Sequence, residues 1–158
     1  MRMRTAIAIA LIVSSIVGAS LIGAGADDVD AANSIKVVVL DFRSNSGEAD
    51  CVLFGSPEGF PSDSKIAMKR ITSRIENKQA LCVFRDVAPG DYSVSVYHDE
   101  NANGKLDRNL MGMPTEGVGA SNDAVGKSGP PKFDDARFTH KGGQQTLTIH
   151  LRYLAAPF

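Results

Sequence analysis

Tryptophan is absent from this chain of 158 residues, histidine occurs three times and cysteine twice. Only 6% of the residues are aromatic. Stacking on sugar rings needs exposed aromatic platforms, so a carbohydrate-binding module is disfavoured, with Tyr97 the one tyrosine on an outward strand parity. Charge of one sign is lacking too: 17 basic residues face 18 acidic ones, a net charge of −1. Such a balance supplies no field to draw in nucleic acid or an anionic lipid surface. No CxxC occurs, which argues against thiol redox chemistry, and HExxH, GxSxG and a phosphate-cradling glycine loop are missing as well.

Long apolar runs are confined to the start. Arg2 and Arg4 precede a nearly uncharged stretch from Ala6 to Ile22, which ends in Gly23, Ala24, Gly25 and Ala26 before the acidic Asp27, Asp28 and Asp30. Positive start, apolar middle and small-residue exit form the three-part pattern of a cleavable export signal. An uncleaved anchor is the alternative, since the stretch is just long enough to span a bilayer. The expected organisation is a signal peptide over 1–26, an acidic linker over 27–33 and a single domain over 34–158. Such a protein is secreted or periplasmic and meets the membrane only through its signal. Removal of 26 residues from 158 leaves 132, with two arginines fewer and a net charge near −3. That length suffices for one core.

β-branched residues and period-two alternation dominate the remainder. Ile35 to Phe42 and the run ending at Phe54 flank a Ser44-Asn45-Ser46-Gly47 turn and read as a hairpin. After Pro57 and Pro61, Ser62 or Asp63 can cap a short helical turn over Lys65 to Lys69. Arg70 to Ile75 and Gln79 to Asp86 read as a strand pair about Asn77. Tyr92, Val94 and Val96 alternate with Ser93 and Ser95, predicting one buried face; Leu147, Ile149, Leu151 and Tyr153 repeat that pattern near the end. Several short strands with little helix point to an all-β fold, an antiparallel Greek-key β-sandwich. Pro89-Gly90 before the inward Tyr92 matches a tyrosine corner, in which the phenol hydroxyl satisfies nearby backbone.

Cys51 lies on the parity of Ala49 and Leu53, and Cys82 on that of Phe84, so both can face one core. Export permits a disulfide between them; two buried free thiols are the alternative.

The segment from His98 to about Ala136 is long and rich in Gly, Pro, Asn and Asp. Loops of this length are usually functional or disordered. At its start, Asp99, Asn101, Asn103 and Asp107 occupy the first, third, fifth and ninth positions of a calcium-loop pattern, with Gly104 sixth and the Lys105 carbonyl at the seventh. Alternate residues of a tight loop can bring hard oxygen ligands to one cation. Leu110 stands where the bidentate glutamate belongs, so Glu116 or Asp123 would have to complete a weak site. A metal-free Asx and Asn-Gly turn is the competing reading. His98 beside Asp99 could act as a general base in a hydrolase with Asp107 or Glu116, yet no nucleophile motif accompanies it. His140 in a turn and His150 on a polar strand face suggest no metal triad.

Ser56-Pro57-Glu58-Gly59-Phe60-Pro61, Val87-Ala88-Pro89-Gly90-Asp91-Tyr92, His98 to Asp107, Gly112-Met113-Pro114-Thr115-Glu116-Gly117 and Ser121-Asn122 together resemble the exported bacterial domain-of-unknown-function family DUF2141, from about Ile35 to Tyr153. The resemblance implies a small secreted or periplasmic β-sandwich, prealbumin-like in outline, and no established activity. Val118 and Ala120 stand where aromatics are expected. The Tyr-Arg-Gly-Ser ending of the prealbumin-like urate-pathway hydrolases is replaced by Arg152-Tyr153-Leu154.

These features favour a non-enzymatic exported module that binds a protein, saccharide or small molecule. Its 99–107 loop would be ordered by weakly held calcium, with Glu116, Ser121 and Asn122 on the binding loop.

Overall fold

The structure, a computed structural model, describes residues 33–154. The signal peptide expected over 1–26 and the expected acidic linker up to residue 32 lie outside the described residues. Among the described residues nine strands form two sheets: β1 (Ser34–Leu40), β2 (Glu48–Phe54), β3 (Lys69–Arg74), β4 (Ala80–Arg85), β5 (Gly90–Asp99), β6 (Gly117–Ala120), β7 (Phe138–His140), β8 (Gln144–His150) and β9 (Arg152–Tyr153). A 3-10 turn at Ser121–Asp123 and a one-turn helix α1 at Phe133–Ala136 are the helical elements among the described residues.

The smaller sheet runs β4-β1-β8 and the larger β3-β2-β5-β6-β9, with β7 paired to the start of β5. The mostly β, two-sheet architecture expected from the alternation is present. One pairing departs from an all-antiparallel arrangement: β1 and β8 run parallel, from Ser34 opposite Gln144 to Leu40 opposite His150. A Greek-key connection is not established by this strand order.

Strand parity selects the core. Ile35, Val37 and Val39 of β1, Ala49, Cys51 and Leu53 of β2, Cys82 and Phe84 of β4, Val94 and Val96 of β5 and Ile149 of β8 are buried together between the sheets. The Cys51–Cys82 disulfide, with Cα atoms 6.4 Å apart, crosses from the larger sheet to the smaller. It closes a loop across 31 positions, for which chain entropy gives about 3–4 kcal/mol of stabilisation. Tyr92 forms the expected corner, donating its hydroxyl to the Ala88 carbonyl at 2.9 Å. A Cβ on Gly90 would lie 3.1 Å from that hydroxyl, so the glycine gives the ring room to fold back.

Three local expectations are corrected. The runs before and after the Ser44–Gly47 turn are strands, but they belong to opposite sheets rather than to a hairpin: β1 pairs with β4 and β8, and β2 with β3 and β5. Likewise the chain between β3 and β4 turns through the Glu76–Gln79 bridge around Asn77 and Lys78, both at positive φ, and the two strands enter different sheets, linked by the Ser73 hydroxyl donating to the Leu81 carbonyl at 2.8 Å. No helical turn forms at Lys65 to Lys69; residues 57–68 are turns and bends that pack Phe60 and Ala67 onto β2.

That packing also buries the face of β5 expected to be solvated. Phe60 stands edge-on to both Phe54 and Phe133. Beneath this cover, Ser93 donates its hydroxyl to the Phe133 carbonyl at 2.9 Å and Ser95 to that of Pro61 at 2.8 Å. The serines are buried because each has a carbonyl partner, which removes the cost of an unpaired hydroxyl.

Candidate functional site

Beyond β5 the chain turns through Asp99 to Asp107 in a loop held from within and from both sides. Asp99 is buried; its Oδ1 accepts the Asn103 amide at 3.0 Å and its Oδ2 the Gly104 amide at 2.6 Å. Asn101 Oδ1 accepts the Asn103 amide at 3.1 Å, and Asn103 Oδ1 that of Lys105 at 2.9 Å. Asp107 accepts the side-chain amides of Asn101 at 2.7 Å and Asn103 at 3.2 Å. The side chains of the third, fifth and ninth positions thus meet one another, while Gly104, at φ +76°, makes the turn that Asp99 caps.

Leu110 projects fully into solvent. Of the two acidic residues considered as its replacement, Glu116 is the one brought to the loop. It is buried, with Oε1 accepting the Glu100 amide and Oε2 the Asp107 amide, each at 2.9 Å. Burial pushes its carboxyl above the ordinary value; the two amide hydrogen bonds oppose this, and the charges of Asp107 and Asp99 reinforce it. Asp123 goes elsewhere, accepting the His150 amide and meeting the His150 Nδ1, both at 2.9 Å. Its burial alone would raise its pKa, but these bonds and the nearby His150 and Arg152 charges hold it below the usual range. Among the described residues, no group of three or more His, Cys, Asp or Glu side chains is arranged to hold a metal ion. The loop's oxygen set is instead a mixture of carboxylates and amides.

Two anchors join the loop to the sheets. On the outer face of the larger sheet, β-strand register sets Tyr97 of β5 opposite Asp50 of β2, and Arg70 of β3 lies diagonally across. Arg70 grips the fully buried Asp50 carboxylate through Nε, at 2.9 and 2.8 Å, and through Nη2. The same Nη2 donates to the Tyr97 hydroxyl at 2.8 Å and to the Gly104 carbonyl at 3.0 Å. The Tyr97 hydroxyl donates to Asp50 at 2.8 Å. Burial, followed by that bond to Asp50, pushes the Tyr97 pKa up; the same carboxylate raises that of Arg70.

The second anchor contains His98. Its Nε2 meets the Ser46 carbonyl at 2.7 Å, and a carbonyl can only accept, so this nitrogen carries the proton. Nδ1 is left to accept the Tyr153 hydroxyl at 2.8 Å. Tyr153 in turn accepts the Arg43 amide at 2.9 Å, and the Arg43 guanidinium lies 4.7 Å from the Tyr153 ring centre while pairing with Glu100 at 2.6 Å. His98 is fully buried with both ring nitrogens engaged. Of the other histidines, His140 ends β7, buried and 3.0 Å from Gln145 Oε1, and His150 is exposed.

Beside the loop lies a groove of about 550 Å³, within the range of small-molecule sites. β5 and β6 contribute Tyr97, Val118 and Ala120; the segment after Lys105 contributes Leu106, Arg108, Met111 and Met113. Residues 123–131 add Asp123, Val125 and Pro130, and the end of the chain adds His150, Arg152 and Leu154. Val118 and Ala120, where the resemblance led to an expectation of aromatics, are among the lining residues. None of His98, Asp99, Asp107 and Glu116 lines the groove. Ser121 and Asn122 do not line it either. The Ser121 hydroxyl donates to the Ala136 carbonyl at 2.5 Å and accepts the Val94 amide at 2.9 Å, and Asn122 donates to the Arg137 carbonyl at 2.9 Å. Ser121 thus fastens the 121–137 segment to β5, and Asn122 ties the two ends of that segment together.

Sequence reasoning did not anticipate β6, the Asp50–Arg70–Tyr97 cluster or the groove. The alternation of Asp50 with core residues on a strand flanked by Arg70 and Tyr97 was the available signal for the cluster.

A two-sheet β domain, stapled between its sheets and carrying one long structured loop beside an apolar groove, is the class of protein these features define. The chain belongs to the DUF2141 family, described as uncharacterized proteins conserved in bacteria, whose family model matches residues 37–148. No curated protein and no solved structure matches it significantly.

Proposed function

We propose that this protein is an exported, non-enzymatic binding module in which the groove receives the ligand and calcium orders the 99–107 loop. The observation that carries this reading is the adjacency of loop and groove. Asp107 belongs to the calcium-loop pattern, while its neighbours Leu106 and Arg108 line the groove. A cation that stiffens the loop would thereby fix one wall of the ligand site. Glu116, buried with an ionisation cost and next to Asp99 and Asp107, supplies the negative charge that a cation would relieve. The inter-sheet disulfide fits an oxidising, extracytoplasmic compartment. Among the described residues no helix is long and apolar enough to cross a membrane.

The hydrolase reading has less support, because His98 has no free ring nitrogen and lies off the groove with the loop carboxylates. A saccharide site is also less favoured: Tyr97 lines the groove, but its hydroxyl is committed to Asp50 and the neighbouring walls are largely aliphatic.

Thermal melting during a calcium titration tests the proposal. With a dissociation constant on the order of 0.1 to 1 mM, a tenfold excess over the weaker limit stabilises the fold by about 1–3 kcal/mol. A melting temperature that stays constant through millimolar calcium removes calcium from the account.

A further inference from the structure

Large apolar side chains exposed on a folded surface are informative when they cluster. Among the described residues, Met111, Met113, Val125 and Leu154 are exposed and all four line the groove. Methionine adapts its shape to apolar partners without a fixed geometry, which suits a flexible chain better than a rigid ring.

The charges in the same groove are not balanced. Arg108 uses its guanidinium on neutral groups only, the Gly112 carbonyl at 3.0 Å and the Ser62 hydroxyl at 3.3 Å. Among the described residues, neither Arg108 nor Arg152 has a carboxylate within ion-pair distance. Among the described residues the one carboxylate lining the groove, Asp123, is engaged by His150 and is held in its charged form partly by the field of Arg152. With two guanidinium groups against one carboxylate, the groove favours an anion, and the planar fork of arginine matches a carboxylate.

We infer that the groove binds a single-chain amphiphile carrying a carboxylate, its alkyl chain against Met111, Met113 and Val125 and its head at Arg108 and Arg152. The inference rests on the binding-module reading and specifies its ligand class.

The test uses the disulfide-bonded protein in constant calcium and a neutral, environment-sensitive naphthylamine as the bound reporter. Hexanoate, octanoate and decanoate, all below their micellar concentrations, compete for it beside decanol and decyltrimethylammonium. The expected affinity rises about fourfold for each added methylene. Decanoate should exceed decanol by about tenfold. Replacing both arginines, R108Q with R152Q, should erase that preference while leaving decanol unchanged. Met111→Asp, at an exposed position, should weaken decanoate and the reporter together.

Decanol or the ammonium binding as tightly as decanoate overturns the anionic class while leaving a binding module standing. Decanoate binding that is indifferent to Met111→Asp places the ligand elsewhere and overturns the site. If neither reporter nor any chain binds, the inference and the ligand-receiving groove of the binding-module reading fail together. A dimer in sedimentation that Met111→Asp dissociates would make the groove a self-association face and also overturn the inference.

Discussion

The carboxylate of Glu116 holds Asp107 by its backbone amide at 2.9 Å while its other oxygen holds Glu100 at the same distance. One side chain therefore pins both ends of the loop. Charge-assisted hydrogen bonds of this kind contribute about 1.5–3 kcal/mol each. Glu116→Ala is expected to lower stability by about 2–4 kcal/mol in urea unfolding and to open residues 99–116 to proteolysis. Equal protease resistance in the variant would show that the loop holds itself.

The pH response of that carboxyl has a definite sign. Its pKa is raised in the folded protein, chiefly by burial, so the fold binds the proton more tightly than the unfolded chain does. The stabilisation from this group is fully present below the ordinary carboxylate pKa and is lost as pH rises through the folded value. Calcium held at the proposed site would compete with the same proton, so its affinity should strengthen over that rise. Melting curves and calcium titrations on Glu116→Gln should show both dependences flattened; an unchanged profile would remove Glu116 as their source.

Reduction of Cys51–Cys82 should cost about 3–4 kcal/mol. Because the bond joins the two sheets rather than neighbouring strands, the loss is expected in the global unfolding transition. Urea denaturation with and without a phosphine reductant reads it directly. A midpoint unaltered by complete reduction would mean that packing between the sheets already supplies the restraint.

Removing Arg70 strands a carboxylate. Asp50 is fully buried and would keep only the Tyr97 hydroxyl, so Arg70→Ala should destabilise by about 3 kcal/mol, at the lower end for a broken buried pair because the arginine itself is a third exposed. Adding Asp50→Asn to that variant should restore part of the loss. In hydrogen exchange the 99–107 loop should open faster, since Gly104 loses the donor to its carbonyl. If Asp50→Asn restores nothing, the cost lies in lost packing of the arginine stem.

Strand positions were legible in the sequence wherever one face carries the core. Tyr92, Val94 and Val96 point inward as their alternation requires, and Leu147, Ile149, Leu151 and Tyr153 follow the same parity. The cysteine parities likewise led to a true pair. Partnership was less legible, because parity says which face is buried and not which strand lies alongside. β1 and β2 thus read as a hairpin although the turn between them crosses from one sheet to the other.

Local polarity misled at Ser93 and Ser95, whose burial depends on carbonyls of Phe133 and Pro61 at least 34 positions away. Strand β6 gave no propensity signal, since Gly-Val-Gly-Ala is poor in β-formers. Its glycines answer to crowding instead. A Cβ on Gly119 would come within 2.7 Å of the Ile149 side chain, and one on Gly117 within 2.6 Å of the Tyr153 ring. At the calcium-like loop, the residue types and spacing announced a tight turn, whereas the clamp from Glu116 depends on β6 bringing the chain back beside β5.

The parallel pairing of β1 with β8 has a consequence for how the molecule is made. In a chain synthesised from its N-terminus, β1 emerges early but obtains only its β4 neighbour as residues 80–85 follow. Its other edge stays bare until residues 144–150 arrive, after nearly the entire domain has been produced. The smaller sheet therefore cannot close on a partial chain. Completion is registered by the last long strand, and a polypeptide cut short before β8 would present the open edge of β1 to whatever strand it meets first.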